Sequence, residues 1–403
     1  DLVHWKELPI ALYPDSLGTI FSGSAVIDVN NTAGFGKNAM VAIYTNHNHT
    51  LEGAGGDKFQ YQSIAYSLDE GTTWTKYKDN PVLLNPGIRD FRDPKVSWYD
   101  AGKKWIMTLA TKDHITFYSS PDLKHWKEES QFGAGLGAHG GVWECPDLFP
   151  LNDKGQQVWV LIVNINPGGP NGGSATQYFT GSFDGHTFKT DQKDTKWLDY
   201  GPDEYAGITW SNTGSRRIFL GWMTNWQYAN VVPTSNWRGA TTIARELKLV
   251  KTEQGYRVAS EPVKELNQTI SYRLTSKKGK LVGPAKLSCS LAKAESFAIT
   301  LSNDLGEQTV IGYDKSKQEY FIDRTKSGVT AFEKGFAARH TAPRFTHGDA
   351  MNLTLIIDDA SAELFADGGL SVMTGIFFPG KSYTDITITG GAKFSKLSYQ
   401  GLR

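Results

Sequence analysis

The sequence is short of cysteine, of excess charge and of long apolar runs, and each shortage removes a class of protein. Two cysteines, Cys145 and Cys289, cannot build a disulfide framework. No metal-ligand spacing surrounds them, so neither a metal nor another cofactor is expected. The 42 basic and 42 acidic residues cancel, which argues against nucleic acid, whose phosphates demand a basic excess. No apolar run reaches the ~18 residues of a membrane-crossing helix. No signal peptide is visible either, and the chain opens on Asp1-Leu2-Val3-His4-Trp5, which reads as the middle of a domain. What remains is a neutral, polar ligand.

Aromatics supply what charge does not. They make up 12% of the chain, with 12 Trp and 17 Tyr. Rings with an apolar face and a polar edge suit sugars, and they equally fill β cores. Asn-X-Thr sequons stand at Asn30, Asn48, Asn267 and Asn352, a pattern short enough to arise by chance.

A degenerate repeat organises the first 250 or so residues. A Ser/Asp turn followed by a large aromatic recurs at Asp1 with Trp5, Ser67-Leu68-Asp69 with Trp74, Ser120-Pro121-Asp122 with Trp126, and Ser182-Phe183-Asp184 with Phe188. The interval is roughly 50–70 residues, in the range of propeller blades. Each unit opens on a motif strand: Phe21-Ser22-Gly23-Ser24, Arg92-Asp93-Pro94, Trp143-Glu144-Cys145-Pro146-Asp147 and Tyr205-Ala206-Gly207. An apolar strand follows, such as Trp105-Ile106-Met107-Thr108-Leu109 or Trp159-Val160-Leu161-Ile162-Val163. The reading is four blades over residues 1–258, with Asp1–Pro9 as the tail of another. Ser260 to Leu266 reads as a short helix in a linker over 259–273, with Ser260 as its N-cap. From about Leu274 the pattern becomes period-two alternation: Phe297, Ile299 and Leu301 on one face, then Leu353, Leu355 and Ile357. That predicts a β-sandwich over 274–403. The fold class is therefore all-β, a propeller followed by a sandwich.

In a propeller the motif strands line the axis, so polar groups far apart in sequence converge on one pocket. Glu144, between Trp143 and Cys145-Pro146, is the candidate acid, because apolar surroundings raise a carboxyl pKa toward the working range of a general acid. Its bland alternative is an exposed strand-end Glu. Asp93 stands between Arg92, which can hold a carboxylate ionised, and Pro94, which pins the backbone; the alternative is a structural Arg–Asp turn. Asp93 and Glu144 read as the same slot in consecutive blades. Two carboxylates in a pocket rimmed by Trp are the equipment of a glycosidase. Around them the candidate binding residues are Arg92, Phe21, Ser22, Tyr205, Asp203 and Trp222, with Ser24, Trp210 and Trp226 nearby in the pattern.

These motifs, in this order, resemble glycoside hydrolase family 32, the invertases, inulinases and levanases, over essentially the whole chain. Trp-Glu-Cys-Pro-Asp and Arg-Asp-Pro carry the likeness most specifically; Leu8 to Asp15 and Asn225 to Asn230 look like bacterial levanases. The resemblance implies a five-bladed propeller with a C-terminal sandwich, and retaining hydrolysis of β-fructosidic bonds in levan, inulin or sucrose. It implies Glu144 as acid/base, Asp93 with Arg92 as the stabiliser of the transition state, Ser22 as a substrate contact and an extracellular location. The family's nucleophile is an Asp in a Trp-Met-Asn-Asp-Pro-Asn-Gly motif upstream of the segment matching Asp1–Trp5. That motif is not among these 403 residues, so the first blade is expected to be incomplete here. Two rivals stand beside this reading: a fructan-binding module, and another five-bladed glycosidase acting on arabinan or xylan.

Overall fold

The chain builds four antiparallel sheets and then a pair of larger ones, as seen in a computed structural model that describes residues 1–267, 271–272 and 277–402. The four sheets span 19–76, 91–132, 142–197 and 205–262. Their first strands are Thr19–Asp28, Phe91–Tyr99, Val142–Asp153 and Tyr205–Thr209, and each lies beside the first strand of the next sheet. The sheets therefore stand as blades around a common axis. Residues 1–18 contribute an isolated bridge between Asp15 and Gly18.

Blade packing explains the apolar second strands. Strand Lys104–Thr111 is buried on both faces. Trp105, Met107 and Leu109 point toward Val41, Ile43 and Ile64 of the first blade, whereas Ile106 joins Trp143, Leu161 and Val163 of the third. A strand covered on both sides needs no polar alternation, so it reads as a continuous apolar run. The Ser/Asp markers are turn devices. Asp69 accepts from the amide and hydroxyl of Thr73 while Ser67 bonds Asp69, and Trp74 donates its indole N–H to the Gly71 carbonyl. Asp122 and Trp126 repeat the arrangement, and Asp1 caps the amides of Val3 and His4. Trp5 then lies edge-on to Trp210 of the fourth blade, 5.9 Å away.

The linker reading needs a correction. The strand Gly255–Pro262 pairs with Arg245–Thr252, with Ser260 opposite Leu247, so residues 259–262 belong to the outer edge of the fourth blade. Ser260 is buried within that strand and caps no helix. The helical turn that does form is a single 3₁₀ turn, Lys264–Asn267. Val258, Ala259 and Ser260 are buried in succession and the strand runs on to Pro262, which has no N–H to extend the ladder. Leu274 and Thr269 of the Asn267 sequon lie outside the described residues.

The C-terminal part is two six-stranded antiparallel sheets. Their inner faces enclose one apolar core that includes Leu287, Ile299, Leu355 and Met373. The expected propeller followed by a sandwich is thus what the chain forms. Buried ion pairs join the two: Arg245 of the fourth blade bonds Asp199 (2.9 Å) and Glu363 (2.6 Å), the latter from the sandwich.

Candidate active site

Each inner strand bulges at the same place. Register jumps from Arg92↔Ala110 to Lys95↔Thr108, from Glu144↔Asn164 to Asp147↔Ile162, from Tyr205↔Trp222 to Ile208↔Leu220, and from Ile20↔Asn46 to Gly23↔Tyr44. Two residues thus face one across each ladder, the signature of a β-bulge, which bends the strand and re-aims its side chains. The first bulged residue takes a left-handed backbone at Asp93 (φ 63°), Cys145 (φ 45°) and Ala206 (φ 53°). The second is unpaired, so Pro94 and Pro146 are tolerated there. This register corrects the slot assignment made from sequence. Glu144 is equivalent to Arg92, Tyr205 and Ile20; the equivalent of Asp93 is Cys145.

The bulges turn these residues into one cavity of about 460 Å³ at the end of the inner strands. Arg92, Asp93, Glu144 and Tyr205 line it, with Phe21, Ser22, Trp222 and Trp226. Glu144 does not sit in the apolar setting expected of it. Neighbouring side chains on a strand point to opposite faces, and Trp143 takes the core while Glu144 meets polar partners. Its Oε1 accepts from Nη2 (2.9 Å) and Nε (3.2 Å) of Arg92, and its Oε2 accepts from the Tyr205 hydroxyl. Burial and the Glu144 charge push the Tyr205 hydroxyl well above the ordinary range, so it remains a donor.

Arg92 serves differently from expectation too. Its Nη1 donates to Asp90 (2.5 Å) and the rest of its fork holds Glu144. Asp93 instead accepts from the Cys145 amide at 3.0 Å. Burial pushes the Asp93 carboxyl up to about 6, with the Arg92 charge pulling against it and Glu144 adding to it. Burial also opposes the charge on Arg92, but Glu144, Asp93 and Asp90 outweigh it and hold the guanidinium charged.

Asp203 is not in the cavity. It is fully buried at the seam with the sandwich, paired with Arg324 (2.7 Å) and accepting from the Tyr228 hydroxyl and the Ile376 amide. Ser24 lies on the inner strand but joins blades: its hydroxyl donates to the Pro94 carbonyl (2.9 Å) and accepts from the Val96 amide (3.0 Å). Trp210 packs with Ile218 and Val263. Trp222 and Trp226 meet at 4.9 Å and 57°, and Trp226 keeps 45% of its surface exposed. The cavity also holds residues that sequence reasoning passed over: His47, Glu52, Phe59, Gln60, Arg89 and Asp90. A signal was available in Thr45-Asn46-His47, the polar end of an otherwise apolar strand.

Models of the glycosyl hydrolases family 32 N-terminal domain and C-terminal region match residues 1–262 and 246–400. A levanase of Bacillus subtilis (strain 168) is 46% identical over 437 aligned positions, which take in 100% of this chain and 63% of the levanase. The chain thus spans less than two thirds of that relative's length. The extracellular exo-inulinase inuE of Aspergillus niger is 37% identical, over 97% of this chain and 83% of the inulinase. Among solved structures, an exo-inulinase from Aspergillus awamori superposes with a TM-score of 0.90 at 34% identity, covering 100% of this chain and 88% of the other. Among the described residues no helix is long and apolar enough to cross a membrane.

Proposed function

Because the chain belongs to glycosyl hydrolase family 32, we propose that it cleaves β-fructosidic bonds of fructans such as levan and inulin, and of sucrose, with release of fructose. The observation that carries this reading is the cavity's polar core: Glu144 gripped by Arg92 and Tyr205, with Asp93 beside it and two Trp rings on the wall. Glu144 gives a proton to the departing glycosidic oxygen. It later takes one from the water that releases fructose, as microscopic reversibility requires. Arg92 and Tyr205 fix the direction of that carboxyl through both halves of the cycle. Asp93 grips ring hydroxyls, most tightly as the ring flattens toward the oxocarbenium-like transition state, which is differential binding. The covalent step needs a third carboxylate, which the family likeness assigns to an Asp of the Trp-Met-Asn-Asp-Pro-Asn-Gly motif. A polymeric substrate and extracellular relatives support an extracellular location.

A second reading, fructan binding without cleavage, rests on the same cavity, where the Trp222–Trp226 wall and the polar groups around Asp93 could hold a sugar without a covalent step. A levan and inulin assay separates the two. Fructose release that disappears in Glu144→Gln supports hydrolysis. Retention of fructan with no reducing sugar released supports binding alone.

A further inference from the structure

One wall of the cavity is built from groups that the proposed chemistry does not use: Gln60, His47 and Glu52 of the first blade. Their hydrogen bonds run in one direction. The Phe91 amide donates to Oε1 of Gln60 (2.8 Å), which commits that oxygen and turns the amide nitrogen to Nδ1 of His47 (3.2 Å). An amide nitrogen only donates, so Nδ1 accepts and the ring proton sits on Nε2. Nε2 then donates to Oε2 of Glu52 (3.0 Å). Phe21 stacks on the His47 ring at 4.3 Å and 16°, which holds its plane.

With His49, the same cluster brings ligating atoms within 4.8 Å of one another, a spacing open to a divalent cation. The relay argues against a metal, which would need the lone pair at Nε2, where the proton resides. What the relay does produce is a carboxylate of fixed direction at the cavity mouth. Exposure gives the depth: the side chain of Glu144 is 19% exposed, that of Glu52 35% and that of Arg89 56%. Glu52 and Arg89 thus rim the cavity above Asp93 and Glu144, where the leaving group of a fructosyl unit seated on those two carboxylates would exit.

We infer that Glu52 is a specificity determinant that accepts the hydroxyls of the second sugar of a fructan chain, with His47 and Gln60 as its positioning residues. This rests on the fructosyl unit binding at Asp93 and Glu144. Arg89 stands 3.6 Å from the other oxygen, Oε1, and adds donors to the same rim. A carboxylate suits neighbouring hydroxyls because charge-assisted hydrogen bonds are about twice as strong as neutral ones.

The test is calorimetric titration with fructose and with a fructosyl tetrasaccharide, every protein carrying Glu144→Gln so that the tetrasaccharide is not cut. The readout is the ratio of the two affinities. Glu52→Gln should lower that ratio about tenfold, one hydrogen bond to a charge being of that order. Glu52→Asp should recover part of it. His47→Phe keeps a ring for Phe21 to stack on but loses the donor, and should lower the ratio about threefold, a fraction of a full bond. An unchanged ratio in Glu52→Gln overturns the inference while leaving the fructosyl site standing. A fall in Glu52→Gln without one in His47→Phe overturns the positioning role. Failure of the Glu144→Gln protein with Glu52 and His47 intact to bind either sugar overturns the site reading and this inference with it. Zinc uptake lost in Glu52→Gln, with the sugar ratio unmoved, assigns the cluster to a metal instead.

Discussion

The cavity and the propeller–sandwich seam are built from the same materials and do opposite things. Both bury carboxylates against arginines and tyrosines. In the cavity, Arg92 meets Glu144 and Asp90, Tyr205 meets Glu144, and the ensemble opens to solvent on one side. At the seam, Asp203 is saturated by Arg324, Tyr228 and Ile376, and Asp199 by Arg245, Thr374 and the Gly201 amide, with no surface left over. Burial of a charge therefore does not mark a site. What marks one is a charge whose partners leave a face uncovered.

The sharpest way to break this comparison is to remove one carboxylate from each region. Glu144→Gln should lower turnover on levan by about 10³-fold, within the usual range for a general acid, with fructan affinity changed only a few-fold. Comparable losses in rate and binding would reduce Glu144 to a structural group. Arg324→Met should do the reverse. It strands Asp203 as an uncompensated buried charge, at about 3–5 kcal/mol, read as a fall in the urea midpoint. A folded, equally stable Arg324→Met would show that the seam pair holds nothing.

How far the sequence could be read follows the same division. The blades, the sandwich and the Trp143 to Asp147 motif were legible because period-two alternation and Ser/Asp turns are local. Asp203 reads as a cavity residue from sequence because its partners Arg324 and Ile376 lie in another domain, and a buried Asp beside Tyr205 looks the same from sequence whichever way it points. The bulges were invisible for a related reason. Arg-Asp-Pro and Glu-Cys-Pro align once two residues are seen to face one across the ladder, and that count depends on the neighbouring strand. Hence Asp93 reads as level with Glu144, whereas Cys145 holds the equivalent position in the ladder. The Gln60–His47–Glu52 relay crosses two strands and a short helix, and only the polar strand end that holds His47 hints at it.

A subtler comparison concerns pH inside the cavity. Asp93 has been pushed up from 3.8 to about 6 by burial, and the proposed role needs its ionised form. Below about pH 6, kcat/KM on sucrose should therefore fall, approaching tenfold per unit as the carboxyl takes up its proton. Asp93→Asn should be slow throughout and lack that limb. The folded protein holds this proton more tightly than the unfolded chain, so Asp93 favours folding at low pH. That contribution is lost as pH rises from about 4 to about 6. Activity and stability should thus move in opposite directions across this window. If both fall together on acidification, the acid limb is unfolding rather than titration of Asp93.

The smallest expected effect lies at the seam, in Glu204. It is fully buried next to Tyr205, and neither of its oxygens has a hydrogen-bond partner. Burial, with the Asp199 charge adding and Arg245 opposing, pushes its carboxyl up to about 8. Two glycines make room for it: a Cβ at Gly221 would stand 2.5 Å from its Oε1, and one at Gly207 2.7 Å. At neutral pH the folded protein holds Glu204 as a neutral acid, whereas the unfolded chain ionises it above about 4.5. The raised value means that stability from this group is present at low pH and drains away as pH rises toward 8. Glu204→Gln fills the same space without a titrating proton, so it should remove that drain. Urea midpoints at pH 5 and pH 8 should show the variant gaining on the unmodified chain by about 1–2 kcal/mol across the interval, short of the full ~1.4 kcal/mol per unit because the seam relaxes. A gap that does not widen would mean that Glu204 is ionised in the folded state. The seam would then tolerate a bare charge with no partner, and saturation of every charged group would no longer separate it from the cavity.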